Sequence, residues 1–357
     1  MSTSPTPVTI AEADEPHHAH AKTYVLTTGL DEAISTLNNI GIGTPTGSIF
    51  TEIEDELARM IRNNGYEVRR ISMKDLSAEI LTKARDVLNP DTFVVSTCLQ
   101  IAAPARGCTL EINRIIGEDG KILGLGQRPG CVCLPSQVDG VVHMTEGRPL
   151  AFIEDGSFTG STLLHILDKF EGRASVEGVI LGFAFPRAMA ALRSRLGDNV
   201  HAIEDTNGDE LADWMPSHDF IPFAPNAGRP LGVMMGGTPT PFFTYEGHSH
   251  AAPYILPFAP IDDWASIGKT HPEDDEATQR ESARHRHGFS LRCLELAEEL
   301  FAEVSRLNDH DMTIGEVAGS WNRVSVPYMI GQRHFPQVGS TCVKDYLRDM
   351  KSILHEH

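Results

Sequence analysis

Residues 150–163 constrain the fold more than any other part of the chain. The segment opens with the apolar run Leu-Ala-Phe-Ile, continues with Glu154-Asp155, and passes through a small, hydroxyl-rich loop to an apolar-periodic stretch that begins at Ser161. A short apolar run before turn residues predicts a buried strand, and apolar residues at helical spacing predict a helix. We therefore expect a strand, an acidic pair where that strand ends, a tight loop and a helix.

The loop between this strand and this helix has the composition of an anion-binding turn. A helix N-terminus directs several backbone N–H groups and the positive end of the helix dipole towards one point. Gly156 and Gly160 let the backbone approach a ligand closely. The loop therefore suits a phosphate. Glu154 and Asp155 would repel that phosphate, and they suit sugar hydroxyls or a Mg2+ ion that the phosphates also hold.

The same residues resemble the phosphoribosyl-diphosphate (PRPP) motif of the type I phosphoribosyltransferases. That motif has four apolar residues, two acids, three variable residues and then Thr-Gly-x-Thr, and the sequence from Leu150 to Thr162 fills every fixed position. Phe158 is the departure, because it is a large aromatic residue in a stretch that is usually small or aliphatic; we expect it to pack beneath the loop or to narrow the site. An acidic strand end that caps an ordinary helix is the alternative interpretation.

The resemblance implies an enzyme that transfers a phosphoribosyl group between PRPP and a nitrogenous base or similar acceptor, or runs the reverse reaction, with Mg2+ as cofactor. Glu154 and Asp155 would act as the catalytic acids, holding the ribose hydroxyls and binding Mg2+ directly or indirectly. The residues that the resemblance assigns to PRPP are Gly156, Ser157, Phe158, Thr159, Gly160, Ser161 and Thr162.

Two further basic positions fit the pyrophosphate end of PRPP. In this family the loop after the first core strand binds pyrophosphate, often with a basic residue beside a glycine, and Arg106-Gly107 stands in that place. Members of this family also have a mobile flap, further along the chain, that closes over the bound phosphates. Residues 127–140 would form this flap here, and Arg128 is the basic residue that it would bring to the phosphates. Arginine can hold diphosphate oxygens bidentately. A surface arginine in a turn and a static β-hairpin arm are the respective alternatives.

Strand and helix patterns alternate through the middle of the chain. This order predicts an α/β fold whose sheet is covered on both faces. With the resemblance, the expected architecture is a mainly parallel, five-stranded phosphoribosyltransferase-like core sheet flanked by helices, with additional N- and C-terminal elements. Strands are expected at residues 66–72, 91–97, 121–126, 150–153, 176–183 and 200–204, a short helix at 108–116, a long loop or hairpin at 127–140, and its return strand at 141–144.

The chain divides into four predicted segments. Residues 1–22 are polar and read as a disordered tail, residues 23–90 as an N-terminal α/β extension, residues 91–205 as the core, and residues 206–357 as a C-terminal hood and helical extension. Within the first extension, residues 23–39 show only weak helix character. Residues 206–271 are irregular but rich in aromatics, and the resemblance implies that they help to select the acceptor. Helices are expected over residues 272–307 and 341–355.

The composition of the chain limits which partners it can bind and in which cellular compartment we expect it. The net charge of −19, from 30 basic and 49 acidic residues, argues against nucleic acid and anionic membranes as partners. No apolar run approaches the ~20 residues that cross a bilayer. The six cysteines are sparse, and the N-terminus has no secretory pattern, so a reduced, cytoplasmic protein is expected. The resemblance adds PRPP or a nucleotide and a small acceptor as partners, and a homodimer as the default assembly.

Two other functions remain open at this point. A non-catalytic PRPP or nucleotide sensor would keep the phosphate loop and lack a working acceptor site. A metal hydrolase could draw on His248 and His250, because His-x-His supplies two zinc ligands from one strand. Cys131 and Cys133 form a possible reactive thiol pair in a loop, although they lack the two-residue gap of common zinc and redox pairs.

Overall fold

The computed structural model describes fifteen stretches of the chain: residues 23–63, 66–101, 103–104, 107–116, 122–127, 131–205, 211–225, 234–235, 238–239, 242–245, 248–251, 276–313, 316–317, 324–325 and 342–355. The tail predicted for residues 1–22 lies outside the described residues. None of the helices in the described part of the chain combines the length and the apolar character needed to cross a membrane.

The secondary structure alternates between strands and helices. The first half contains β1 Thr23–Thr28, α1 Leu30–Ser35, a 3-10 helix Thr36–Ile40, α2 Ser48–Asn63, β2 Glu67–Ser72, α3 Met73–Val87, β3 Phe93–Ser96, β4 Gly107–Thr109, β5 Ile112–Ile116, β6 Ile122–Gln127 and α4 Leu134–Thr145. The second half contains β7 Leu150–Ser157, α5 Ser161–Phe170, β8 Val176–Ala184, α6 Pro186–Leu196, β9 Val200–Asp205, β10 Leu211–Pro216, a 3-10 helix Ser217–Phe220, β11 Met234–Met235, β12 Thr238–Pro239, β13 Phe242–Tyr245, β14 His248–Ala251, α7 Glu276–Leu307, β15 Val324–Ser325 and α8 Val343–His355.

The core sheet has five parallel strands in the order β4-β3-β7-β8-β9. Its central strands are buried on both faces, as parallel strands usually are. α3 covers one face, where Leu76 and Ile80 pack against Ile153 and Ile180. α4, α5 and α6 share the apolar cluster of the other face. The prediction of an α/β fold with a mainly parallel five-stranded sheet flanked by helices is confirmed.

A second parallel sheet, in the order β10-β1-β2, joins segments from before and after the core sheet. Its hydrophobic core contains Leu57 of α2, Leu294 and Phe301 of α7, and Leu347 of α8. The segments before and after the five-stranded sheet therefore fold together rather than separately. This arrangement brings β10 to the edge of the central motif.

Helix α3 shows how local sequence fixes the position of an element. Ser72 is its N-cap, accepting a hydrogen bond from the amide of Asp75 at 3.0 Å and donating its hydroxyl to the Asp75 carboxylate at 2.7 Å. Leu76, Ile80 and Ala84 recur at helical spacing and are buried. The cap and the apolar stripe together hold α3 on the core sheet.

The helix predicted over residues 108–116 is wrong. The structure has β4 and β5 there, and β5 pairs with β6 as an antiparallel hairpin. Ile112, Ile115 and Ile116 have the i, i+3, i+4 spacing of a helix, but β-branched residues fit a pleated strand better. Pairing with β6 decides between these two possibilities.

The long loop predicted over residues 127–140 and its return strand at 141–144 are also wrong. Residues 134–145 form α4, with Pro135 in its first turn and Leu134, Val138 and Val141 buried along one side. Proline is well tolerated at a helix start, where its missing N–H has no partner in any case. Gly140 and the proline counted against a helix in the sequence, but burial of this apolar stripe outweighs them.

Two strands were missed. Residues 23–39, expected to have weak helix character, begin with β1, and the segment expected to be irregular after residue 206 contains β10. These two strands pair with each other in parallel, with Val25 opposite Trp214. Their pairing spans most of the chain, so no local pattern announces it.

Candidate functional site

Strand β7 continues past the acidic pair. The expectation that it ends at Glu154-Asp155 is wrong, because it runs from Leu150 to Ser157. Glu154 lies opposite Leu181 of β8, and Gly156 lies opposite Phe183. Successive side chains of a strand project to opposite faces. The two carboxylates therefore leave β7 on different sides of the sheet.

The order of the core strands reverses beside the acidic pair. From β3 the chain first adds β4 on one side, and it later returns to add β7 on the other side. In open parallel sheets, ligands bind outside the carboxyl ends of the strands at this reversal, where loops diverge and leave a crevice. The residues at that position are Thr97, which follows β3, and the residues from Glu154 to Gly160 in and after β7.

Thr97 connects the two strands at this point. Its amide donates to the carbonyl of Ile153 at 3.0 Å. Its hydroxyl lies 3.2 Å from the same carbonyl oxygen and donates to the Glu154 carboxylate. Glu154 is half-buried, whereas Thr97 is buried. The Glu154 carboxylate is thus held at the carboxyl edge of the sheet by a residue that the sequence alone did not single out.

Asp155 occupies a different environment. Its side chain is buried, with the residue only 3% exposed. Its carboxylate accepts a hydrogen bond from the amide of Gly156 at 3.1 Å. The second acid therefore contacts the backbone near the end of β7, while the first one is bonded to Thr97 at the carboxyl end of β3.

The loop after β7 leads directly into α5, as expected. Gly160 is the residue before the helix, and its φ of 77° lies in the left-handed region that favours glycine. The hydroxyls of Thr159 and Ser161 lie 2.5 Å apart, and the amide of Ser161 points at the Thr159 hydroxyl at 3.4 Å. Hydroxyl groups and the first amides of α5 are therefore grouped at the helix N-terminus.

Trp214 of β10 covers one side of this loop. A β-carbon placed on Gly156 would lie 2.0 Å from Cζ3 of the indole. The Phe158 ring stacks between Trp214, at 5.6 Å, and Phe185, at 5.1 Å between ring centroids. The aromatic residue that departs from the family motif therefore belongs to a column of rings that the second sheet completes.

The other predicted site residues are not brought together in the described residues. Gly107 begins β4 at the edge of the core sheet, whereas Arg106 and Arg128 lie outside the described residues. His248 and His250 both belong to β14, of whose side chains the structure gives no description. Within the described ranges, no group of three or more His, Cys, Asp or Glu residues could hold a metal ion.

A second polar cluster, which sequence reasoning missed, lies at the carboxyl edge of the β10-β1-β2 sheet. One oxygen of Glu54 accepts from the amides of Gly29 and Leu30, at 2.8 and 3.0 Å, and from the Ser217 hydroxyl at 2.8 Å. His218 and Asp219 follow Ser217 and are buried. The sequence gives little indication of this cluster. The run Ser217-His218-Asp219 can be recognised as following a strand only once β10 is known.

Comparison with known proteins gives limited help. No protein-family profile matches the chain, and no curated protein does. Solved structures that align with part of it include the protein TT1426 from Thermus thermophilus, at 14% identity and a TM-score of 0.27, over 38% of this chain and 84% of that one. An adenine phosphoribosyltransferase aligns at 13% identity and a TM-score of 0.22, over 36% of this chain and 76% of the other. The fold of this chain is defined by its own strand order.

Proposed function

We propose that this protein is a phosphoribosyltransferase that exchanges diphosphate for a nitrogenous base or similar acceptor on C1 of a ribose 5-phosphate. The position of Glu154 carries the proposal. Its carboxylate, bonded to Thr97, lies at the reversal of strand order, beside a glycine- and hydroxyl-rich loop that opens α5. An acid for sugar hydroxyls and a loop for a phosphate then lie next to each other at the carboxyl end of β7.

The roles of the residues follow from this arrangement. The amides and hydroxyls at the start of α5 bind the 5-phosphate, because the helix dipole favours an anion there. Glu154 holds a ribose hydroxyl and stabilises the positive charge that develops on the sugar ring as diphosphate departs. Asp155, bonded to the Gly156 amide, fixes the backbone of the loop. Arg106, Gly107 and Arg128 remain the proposed contacts for the diphosphate.

Mg2+ fits this set of groups as an ion shared with the substrate. Protein sites for Mg2+ commonly use one or two carboxylates together with substrate phosphates, rather than a complete cage of side chains. Glu154 is half-buried and supplies one such carboxylate, whereas Asp155 is buried against its own loop. Bound there, the ion would neutralise charge on the diphosphate.

A PRPP or nucleotide sensor is the second candidate, and one observation favours it. Asp155 is buried and Trp214 lies against Gly156, so part of the motif is packed into the protein interior. A sensor needs the phosphate loop but no acceptor site. The proposed function includes a homodimer and a small-molecule acceptor for the enzyme, and a protein partner for the sensor.

Pyrophosphate release separates the two candidates. The purified protein is incubated with PRPP, Mg2+ and one of adenine, guanine, hypoxanthine, uracil or orotate. We expect release of pyrophosphate with at least one base and none without a base. PRPP binding without release in the presence of any base would favour the sensor. Absence of PRPP binding would contradict the enzyme, and absence of binding of both PRPP and nucleotides would contradict both candidates.

A further inference from the structure

We propose that the side-chain amide of Gln100 recognises the acceptor, and that this acceptor is a planar nitrogen heterocycle. His218 and Asp219 hold the Gln100 amide in one orientation. This inference rests on the proposed function, and it names residues that lie outside the PRPP-like motif. Gln100, His218 and Asp219 are called the amide cluster below.

The loop after β3 presents Gln100 next to the candidate site. The amide of Ile101 donates to the carbonyl of Cys98 at 3.2 Å, which closes a turn. Cys98 and Ile101 are buried and anchor this turn, whereas Gln100 at its tip is half-buried. Thr97, immediately before the turn, donates to Glu154. One short loop therefore carries Thr97, which contacts Glu154, and Gln100, whose amide lies three residues further along the chain.

The segment after β10 reaches the same place from the other sheet. Trp214 packs against Gly156 and Phe158, and His218 lies four residues further along. Nδ1 of His218 is 3.5 Å from Nε2 of Gln100. The carboxyl edges of the two parallel sheets therefore adjoin, with the PRPP-like loop at one end of the contact and the amide cluster at the other.

The amide cluster has a defined polarity. When the Gln100 N–H group points at Nδ1, that ring nitrogen acts as the acceptor and Nε2 carries the proton. Oδ1 of Asp219 lies 3.6 Å from Nε2 and complements that proton electrostatically. Within the described ranges, the side-chain contact of Gln100 is the one to His218, which leaves its carbonyl oxygen and second N–H to meet a ligand. A heterocycle or ring amide with an N–H donor beside an acceptor atom complements such a pair.

The cluster is built into rigid structure. Ser217, His218 and Asp219 are each no more than 6% exposed. The Ser217 hydroxyl is bonded to Glu54, which also accepts from two amides after β1. Oδ1 of Asp219 and Nε2 of His218, 3.6 Å apart, are in electrostatic contact, and the bond from Ser217 to Glu54 holds the segment that carries them. These surroundings are suited to holding the half-buried amide of Gln100 in one orientation.

Substitution of Gln100 tests the inference. Gln100→Glu keeps the shape of the side chain and replaces its donor by an acceptor, while His218→Asn removes the ring that orients the amide. Asn39→Asp is the matched control, because it makes the same change from amide to carboxylate at an exposed residue of the 3-10 helix Thr36–Ile40. The dissociation constant for PRPP is measured by calorimetry, and the apparent KM and kcat are measured for the five bases named above.

For Gln100→Glu we expect a PRPP dissociation constant within about twofold of the unsubstituted protein. We expect the apparent KM for the preferred base to rise roughly tenfold, the scale of one lost hydrogen bond to a buried polar group, or the order of preference among the bases to change. His218→Asn should raise the KM for the base by a larger factor than it lowers kcat, which a merely structural defect would not produce. Asn39→Asp should change neither constant.

Unchanged KM values and base preference in Gln100→Glu, with PRPP binding intact, would overturn the amide cluster while leaving the proposed function in place. PRPP binding by the unsubstituted protein, without binding or turnover of any base, would also overturn it and would favour the sensor. Failure of the unsubstituted protein to bind PRPP would remove the proposed function, and the acceptor subsite with it.

Discussion

Trp214 lies against Gly156 so closely that no side chain fits between them. Three indole carbons lie within 2.7 Å of the place where a β-carbon on Gly156 would be. The glycine belongs to β7 of the core sheet and the tryptophan to β10 of the second sheet. The second sheet therefore packs directly against the end of β7, just before the loop that we propose binds the phosphate.

Because of this contact, we expect the effect of a substitution at Gly156 on stability to depend on the residue at position 214. Gly156→Ala forces the indole or the backbone to shift, and we expect it to lower the free energy of unfolding by roughly 1–3 kcal/mol, as overpacking does. In a protein that already carries Trp214→Ala, the same change has space, and it should cost less than about 0.5 kcal/mol. Urea denaturation of the four proteins of this cycle measures the coupling. Equal costs in both backgrounds would show that the indole does not constrain Gly156.

Thr97 should matter for ligand binding more than for folding. Thr97→Val keeps the branched shape but removes the hydroxyl that donates to Glu154. Because a hydrogen bond to a charged group is worth about 1.5–3 kcal/mol, we expect PRPP affinity to fall about tenfold or more, and Thr97→Ser should retain most of it. Calorimetric titration with PRPP and Mg2+ measures both variants.

Thr92 offers a matched control for Thr97. Its hydroxyl donates to the carboxylate of Glu177, so the same pair of groups recurs at the opposite, amino edge of the core sheet. Thr92→Val should affect stability to a similar degree and leave PRPP affinity unchanged. Equal losses of affinity in the two valine variants would mean that the carboxyl edge has no special role.

The cysteines should differ in reactivity. Cys133 is exposed, and a hydrogen bond with the Ser136 hydroxyl lowers the pKa of its thiol, whereas burial raises the pKa of Cys108 to about 11. A lower pKa gives more thiolate at neutral pH. We expect iodoacetamide to modify Cys133 well before Cys108, and Ser136→Ala to slow the reaction at Cys133 only. Peptide mass spectrometry over time measures both rates, and faster labelling of Cys108 would contradict the assignment.

The sequence was most informative where the structure depends on local patterns. The apolar run of β7 and the periodic Leu163, Ile166, Leu167 and Phe170 of α5 are visible in one short stretch, and the structure has both elements. The same alternation predicts four of the five core strands, β3, β7, β8 and β9. The other strand expected in the core, at residues 121–126, is β6, which belongs to a separate sheet in the order β15-β5-β6, and β4 takes its place in the core. The exact end of β7 was missed, since pairing with β8 carries the strand through two acids that normally mark a strand end.

Other features depend on contacts between distant residues. β1 and β10 pair across more than half of the chain, so neither strand has a strong pattern by itself. Trp214 and Thr97 acquire a role only because β10 and β3 bring them to the motif. The amide cluster, similarly, joins a turn after β3 with a segment more than a hundred residues later. Burial and pairing decided these positions, and neither can be read from single-residue preferences.

The acidic pair itself should be needed for function and not for folding. We expect Glu154→Gln combined with Asp155→Asn to abolish pyrophosphate release, because the charge that stabilises the ribose ring in the transition state is lost. Circular dichroism and the urea midpoint should show a folded protein. Glu177→Gln serves as the control for loss of a carboxylate at the amino edge of the sheet. Undiminished activity in the double variant would remove Glu154 from the proposed catalytic site and would show that the bond of Asp155 to the Gly156 amide is not needed for catalysis.

Calorimetric titration of the unsubstituted protein with PRPP, in the presence of Mg2+, tests the central claim most directly. We expect saturable binding of one PRPP per chain, and loss of most of that affinity in Glu154→Gln but not in Glu177→Gln. No detectable heat of binding, or equal affinity in the three proteins, would contradict a PRPP site at the carboxyl end of β7.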